Sequence, residues 1–246
     1  MKIAFCIFAC ATQARYKEEL LGILHTWGER AAKLGHIIYY FLGEEQTEFK
    51  GDQFIYLPGV SNDYASASHK QNRGLKMIYE KHRDEYDFVY VCGTDTYVNI
   101  ENLIALMEKY DTNDPFILGG DGGYRTIADK EVYFNSGGPG TVLSRRSMEL
   151  LYPLFENMFE RWRDLCNTNN INLVAACDVA TAYYGAELGI YPIKEDTKFF
   201  HCNFRESKVD INNVVATHFV RIEDFEILHN IYYPWDRFYG WFDRPK

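Results

Sequence analysis

The sequence predicts an α/β fold built on a Rossmann-like sheet. Short apolar runs alternate with longer segments of helical periodicity over residues 1–110, which is the pattern of strand–helix–strand units. A chain of 246 residues is long enough to bury about three quarters of its unfolded surface in one unit. No repeat, low-complexity tract or change of composition divides it. We therefore expect one domain over residues 1–246, with a regular half up to about residue 110 and an irregular half over residues 111–246.

The first half contains the regular alternation. Residues 88–91 read Phe-Val-Tyr-Val, a continuous apolar run that is expected of a strand covered on both faces. Gly35 is a plausible end for the first helix, since glycine commonly follows a helix C-terminus. Strands are predicted at residues 2–9, 36–42, 53–57 and 87–92, and helices at residues 12–34, 68–82 and 100–109.

The second half is less regular. After a strand at residues 116–118, the glycine-rich segments 119–123 and 136–140 are expected to be loops, the first of them flexible. Ser144 has the side chain of a helix N-cap, and the helix after it runs towards Phe159. A further helix follows a polar link, and the chain ends in Tyr, Trp and His. We expect this half to complete a cleft beside the strand ends, where ligands of open α/β sheets bind.

Composition disfavours several partners and locations. The net charge of −9, with no long basic run, disfavours nucleic acid as a partner, because such binding needs a concentrated positive footprint. No apolar run approaches the ~20 residues that cross a bilayer. The six cysteines do not form a secreted framework in a chain this long. We therefore expect a soluble protein of a reducing, cytoplasmic compartment, although an excised lumenal catalytic domain is an alternative.

Asp95 is the first candidate functional residue. It follows closely on the buried strand that ends at Cys92, so its carboxylate is expected to face the cleft. A hard oxygen ligand there suits Mn²⁺ or Mg²⁺ bridging a diphosphate. The alternative is an aspartate that only forms an Asx-turn. The 19 tyrosines would suit sugar or base binding, since tyrosine stacks with one face and hydrogen-bonds at its tip, but they could equally form core and surface.

Several segments resemble one enzyme family. Residues 92–98 read Cys-Gly-Thr-Asp-Thr-Tyr-Val, similar to the Asp-Asp-Asp-Thr-Tyr-Val segment of glycosyltransferase family 31, the group of the Fringe and core 1 β1,3-galactosyltransferase enzymes. Further segments match in the same order and cover most of the chain: residues 70–79, 134–144, 178–190 and 217–220.

The resemblance implies a GT-A-type fold, a UDP-sugar donor, a glycan acceptor, a divalent metal and inversion at the anomeric carbon. The first half would bind the nucleotide sugar, and the second would hold the acceptor and the catalytic base. By the same resemblance, Asp178 is the base, and Asp95 and His218 are the metal ligands. Donor-binding positions are implied at the following residues: Ala11, Thr12, Arg15, Lys70, Thr94, Asp95, Gly137 and Gly138.

Some of these assignments have alternatives. Asp178 could cap the helix that begins at Val179, alone or in addition to its role as a base. Lys70 could be a solvated helix charge. His201 is a weaker candidate for the position given to His218.

The chain departs from the family pattern at Gly93. The family has an acidic residue there, and Thr94 cannot replace it as an anionic ligand. A metal would then be held by Asp95, His218, the diphosphate and water. Two other functions stay open: a degenerate sugar- or nucleotide-binding module without turnover, and an unrelated enzyme such as a nucleotidyltransferase, which would need a second carboxylate near Asp95. We expect acceptor specificity among side chains of the second half, including Tyr133, Arg145, Trp162, Tyr183 and the segment 232–235.

Overall fold

The structure, a computed structural model, describes residues 1–45, 47–206 and 210–235. Its strands are β1 (Ile3–Phe8), β2 (Ile37–Leu42), β3 (Phe54–Tyr56), β4 (Phe88–Cys92), β5 (Tyr97–Val98), β6 (Phe116–Ile127), β7 (Lys130–Ser144), β8 (Tyr191–Lys194), β9 (Phe199–Phe200) and β10 (Ala216–Thr217). Its α-helices are α1 (Ala14–His25), α2 (Trp27–Lys33), α3 (Ser66–His82), α4 (Ile100–Met107), α5 (Arg145–Phe155), α6 (Met158–Thr168), α7 (Cys177–Glu187) and α8 (Ile222–Tyr232).

Seven strands form the main sheet in the order β3-β2-β1-β4-β7-β6-β8. Strands β1 to β4 pair in parallel, and β7 runs antiparallel to both of its neighbours. Strand β8 pairs in parallel with β6. The α/β fold class is therefore confirmed, and the parallel pairing of β1 with β4 places their carboxyl ends on one edge.

Both faces of this sheet are covered. Along β1, Phe5 and Ile7 pack into one hydrophobic cluster with Trp27, whereas Ala4 and Cys6 pack into the other. This alternation follows from the period of two in a strand, and two buried faces explain why the run is apolar throughout. The prediction of a doubly covered central sheet is confirmed.

A small second sheet has the order β5-β10-β9. Thr217 in β10 pairs with Tyr97 in β5, and the backbone N–H of Val220 donates to the carbonyl oxygen of Asp95 at 3.0 Å. Residues more than a hundred positions apart in the chain are thereby held side by side. This sheet brings the segment after β10 to the end of β4.

The glycine-rich segments 119–123 and 136–140 were predicted as loops, and this prediction was wrong. Both lie within strands β6 and β7, whose register shifts at Gly119/Gly120 and Asp121/Gly123, and residues 137–140 form a bulge without register partners in β6. A Cβ on Gly120 would lie 2.6 Å from the carbonyl oxygen of Phe199. Glycine here permits bulges and close backbone approach within a sheet.

The single helix predicted at residues 12–34 is two helices. The backbone at Thr26 departs from helical geometry, with φ −126° and ψ −112°, and its hydroxyl donates to the carbonyl oxygen of Gly22 at 2.6 Å. The predicted cap at Ser144 is confirmed, since its side chain accepts from the N–H of Ser147. All six cysteines are free. Within the described ranges, no helix is long and apolar enough to span a bilayer.

Candidate active site

A cleft of about 1180 Å³ opens at the carboxyl ends of β1 and β4. Strands β6 and β7, helix α7 and the segment after β10 supply its other walls. The candidate site residues that line it are Arg15, Lys70, Thr94, Asp95, Gly137, Gly138, Asp178, His201 and His218. The fold therefore brings most of the residues implied by the family resemblance to one place.

Asp95 lies at the floor of this cleft, where the turn after β4 exposes about a fifth of its side chain. Its Oδ2 lies 3.3 Å from Nε2 of His218 and 3.7 Å from a terminal nitrogen of Arg15. His218 reaches Asp95 because the second sheet holds the two segments together. The carboxylate thus sits between an imidazole and a guanidinium.

Glu19 extends this cluster and was not predicted from the sequence. Its carboxylate accepts from Nε of Arg15 at 2.8 Å and from the hydroxyl of Thr94 at 2.8 Å. Burial raises the pKa of Glu19, and its two hydrogen bonds act in the opposite direction. We call these connected side chains the donor-side network: Arg15, Glu19, Thr94, Asp95 and His218.

Asp178 faces the cleft from the first turn of α7. Its Oδ2 accepts from the backbone N–H of Gly137 at 2.9 Å, and its Oδ1 accepts from the N–H of Val179 at 2.8 Å. Burial raises the pKa of Asp178, although both backbone hydrogen bonds oppose that rise. Helix α7 begins at Cys177 with Ala176 at its N-cap position and no side-chain cap hydrogen bond, so the alternative that Asp178 caps the helix is wrong. Each oxygen of the carboxylate keeps a further acceptor site, so Asp178 can still accept a proton.

Gly138 lies against His218. A Cβ on Gly138 would be 2.3 Å from Nδ1 of the imidazole, a distance that no side chain could occupy. The carbonyl oxygen of Gly138 accepts from the hydroxyl of Thr96 at 2.7 Å. Glycine at this position therefore lets strand β7 pass directly beside the candidate metal ligand.

Lys70 is not a solvated helix charge, because only 2% of it is exposed. Its ammonium donates to the carbonyl oxygen of Ala9 at 2.8 Å and to Oδ1 of Asn62 at 3.1 Å. Burial lowers the pKa of Lys70. An ammonium has three donors, so a third hydrogen bond is available to a ligand in the cleft.

Two of the implied donor-binding residues do not line the cleft. Ala11 is buried, and Thr12 is exposed with its hydroxyl 3.4 Å from Sγ of Cys10. His201 is exposed at the cleft wall.

The side chains suggested for acceptor specificity lie elsewhere. The indole N–H of Trp162 donates to the carbonyl oxygen of Leu173, and Arg145 pairs with Asp87 at 2.8 Å. Neither lines the cleft. Arg125 and Phe134 do line it, with the guanidinium 5.4 Å from the ring centroid.

Asp95 and His218 form a donor set that fits Mn²⁺ or Mg²⁺. Two ligand atoms about 2.1 Å from one octahedral cation lie about 3 Å apart, close to the 3.3 Å between Oδ2 and Nε2. Within residues 1–45, 47–206 and 210–235, no group of three or more His, Cys, Asp or Glu could hold a metal. A cation held by Asp95 and His218 would therefore need its remaining ligands from other sources, such as phosphate oxygens and water.

Comparison with known proteins identifies the class. The Fringe-like family model matches residues 3–207, and the chain belongs to this family. One similar structure is "crystal structure of a glycosyltransferase involved in the glycosylation of the major capsid of PBCV-1", with 14% identity and a TM-score of 0.58. The match covers 93% of this chain and 99% of that one. The GT-A-type fold is thereby confirmed, and family membership supports glycosyltransferase activity with a nucleotide-sugar donor and a glycan acceptor.

Proposed function

We propose that this protein is an inverting, metal-assisted glycosyltransferase. It transfers a hexose or N-acetylhexosamine from a UDP-sugar to a hydroxyl of a glycan acceptor, with a β1,3-type linkage as the product. One observation carries the proposal. A single cleft contains the carboxylate of Asp178 on one side and the pair Asp95 and His218 on the other, separated by the glycines of β7.

Asp178 supplies the base for this reaction. Its carboxylate removes the proton of the acceptor hydroxyl while the hydroxyl oxygen forms a bond to C1 of the donor sugar. The bond from C1 to the diphosphate oxygen breaks, and UDP leaves from the opposite face. Burial makes this carboxylate more basic than an exposed one, which suits general-base catalysis near neutral pH. The N–H groups of Gly137 and Val179 fix its direction.

The donor-side network receives the diphosphate. Asp95 and His218 would hold the cation, which supplies neutralisation of the charge that develops on the leaving group. Arg15 lies within 3.7 Å of the same carboxylate oxygen and can turn its guanidinium to a phosphate. Gly137 and Gly138 let the donor sugar approach the backbone of β7 without a side chain between them.

The test is turnover with a panel of UDP-sugars, with and without Mn²⁺. We expect hydrolysis or transfer from at least one of them, and a rise in melting temperature when UDP and Mn²⁺ are added together. A preference for nucleoside triphosphates would instead favour the nucleotidyltransferase interpretation. The absence of any effect of nucleotide sugars on stability or turnover would contradict the proposal.

A binding module without turnover is the second candidate, and Gly93 favours it. Glycine supplies no carboxylate at this position. Among the described residues, Asp95 is therefore the one carboxylate of the cleft within salt-bridge distance of His218. A module of this kind would bind UDP or a glycan in the same cleft, with no product under any metal. Calorimetric binding of UDP beside an absence of turnover across the whole panel would select this alternative.

A further inference from the structure

Phe219, the residue after His218, has an unusual backbone conformation. Among the described residues, four other than glycine have positive φ: Ala128, Asp129, Asn170 and Phe219. Ala128 and Asp129 form the two-residue turn between β6 and β7, which requires positive φ at both positions. Asn170 follows the end of α6, where asparagine is accepted in the left-handed region. Phe219, with φ +56°, has no such explanation.

Hydrogen bonds on both sides hold Phe219 in this conformation. The N–H of His218 donates to the carbonyl oxygen of Phe200 at 3.0 Å, and the N–H of Val220 donates to that of Asp95 at 3.0 Å. The carbonyl oxygen of Phe219 accepts from Nδ2 of Asn203 at 2.9 Å. A bulky residue in the left-handed region is strained, and such strain persists only where the surroundings over-determine it.

The strained conformation places the phenyl ring on His218. The two ring centroids are 3.8 Å apart with an interplanar angle of 30°, and 52% of Phe219 is exposed. Gly138 lies so close to His218 that a Cβ there would be 2.3 Å from Nδ1. The imidazole is therefore confined by the backbone of β7 and by an exposed aromatic ring that contributes little to the core.

We infer that Phe219 is a positioning residue for His218. Its ring restricts the rotation of the imidazole and keeps Nε2 directed at Asp95, 3.3 Å away. A residue that suited the backbone better, such as asparagine or glycine, would leave the imidazole free to turn. The importance of this positioning for metal binding depends on the proposed function, whereas the stacking itself does not.

The experiment uses the full chain with ¹³C-labelled histidine, and His218→Gln assigns the His218 imidazole signal. The variants are Phe219→Asn and Phe219→Gly, which relieve the backbone, with Phe219→Tyr as the control that keeps the ring. In the wild type and the control, we expect His218 to show the upfield shift of a ring stacked on an aromatic. We also expect Mn²⁺ with UDP to broaden this signal before those of the other histidines.

In Phe219→Asn and Phe219→Gly, we expect the upfield shift to disappear and broadening to need at least about 10-fold more Mn²⁺. The melting temperature should be unchanged or raised by up to about 4 °C, because the strain is removed. An unchanged His218 signal and Mn²⁺ response would overturn the inference. So would lower stability or failure to fold in both variants, since the ring would then be structural. If Mn²⁺ leaves wild-type His218 unaffected while the shift and stability behave as expected, the metal site is wrong and the positioning stands.

Discussion

The two sides of the cleft hold their carboxylates in different ways. Asp95 belongs to the donor-side network, in which polar side chains bond to other side chains. Asp178 is held by two backbone N–H groups and by burial. A network of side chains can lose one member and rearrange, whereas an isolated carboxylate on fixed backbone has no substitute. We therefore expect the donor side to tolerate substitution better than the side that holds Asp178.

The largest effect is expected from Asp178→Asn, because the proposed function gives the role of base to this carboxylate. We expect kcat to fall by about 10²–10⁴-fold, with UDP affinity unchanged by calorimetry. Asp121→Asn is the matched control, since Asp121 lines the same cleft but pairs with Lys194. Equal turnover in the Asp178 variant and the wild type would contradict the assigned mechanism. It would also contradict the expected difference between the two sides of the cleft.

Substitution on the donor side should act through the metal. In His218→Gln, we expect the Mn²⁺ concentration that gives half of the maximal rate to rise by at least about 10–100-fold. This is the loss of metal affinity that is typical when a residue hydrogen-bonded to a metal ligand is removed, about 10–100-fold. His201→Gln is the control, because His201 is exposed on the same cleft. A Mn²⁺ titration decides the matter, and an equal response of both variants would contradict the assignment of His218.

The raised pKa of Asp178 predicts the pH dependence of the rate. The base acts only when deprotonated, so kcat/KM should fall as pH falls through this pKa of the free enzyme, by about tenfold per unit below it. Because burial raises the pKa, the acidic limb should lie above the usual value of about 3.9 for aspartate. A pH–rate profile measures the position of this limb. A limb at or below that value would contradict the conclusion that burial controls the pKa of Asp178.

Gly93→Asp should produce the smallest change in activity, and it tests whether the donor side tolerates substitution. A Cβ on Gly93 would lie 3.5 Å from Oδ1 of Asp95 and 3.3 Å from the ring of Phe8, which must shift by a few tenths of an ångström. A second carboxylate should lower the Mn²⁺ requirement by about 10-fold. Gly93→Asn has a similar size without the charge, and the same gain in that control would exclude a direct electrostatic role.

The sequence predicted the position of Asp95 at the cleft, because that position depends on the local sequence pattern. A continuous apolar run predicts a buried strand, and the polar residue after its end must lie at the sheet edge. His218 could be found only by family resemblance, since its approach to Asp95 depends on the pairing of β10 with β5.

The misses had long-range causes. Glu19 looks like a surface partner of Arg15 four positions away, and its burial comes from contact with Thr94 in a distant turn. The glycine-rich segments of β6 and β7 were predicted as loops because glycine is common in loops. The reason for glycine at position 120 is the close approach of the backbone of Phe199, which is distant in the sequence. Phe219 gave no signal, since φ cannot be inferred from a phenylalanine in sequence.

The adjacent glycines of β7 also contact the two sides of the cleft in succession. Gly137 faces Asp178, and Gly138 faces His218. Neighbouring Cα atoms are about 3.8 Å apart, so the contacts of β7 with Asp178 and with His218 are one peptide unit apart. A single-residue insertion or deletion between these two glycines would move one contact relative to the other. We therefore expect the number of residues in this part of β7 to matter for both side chains at once.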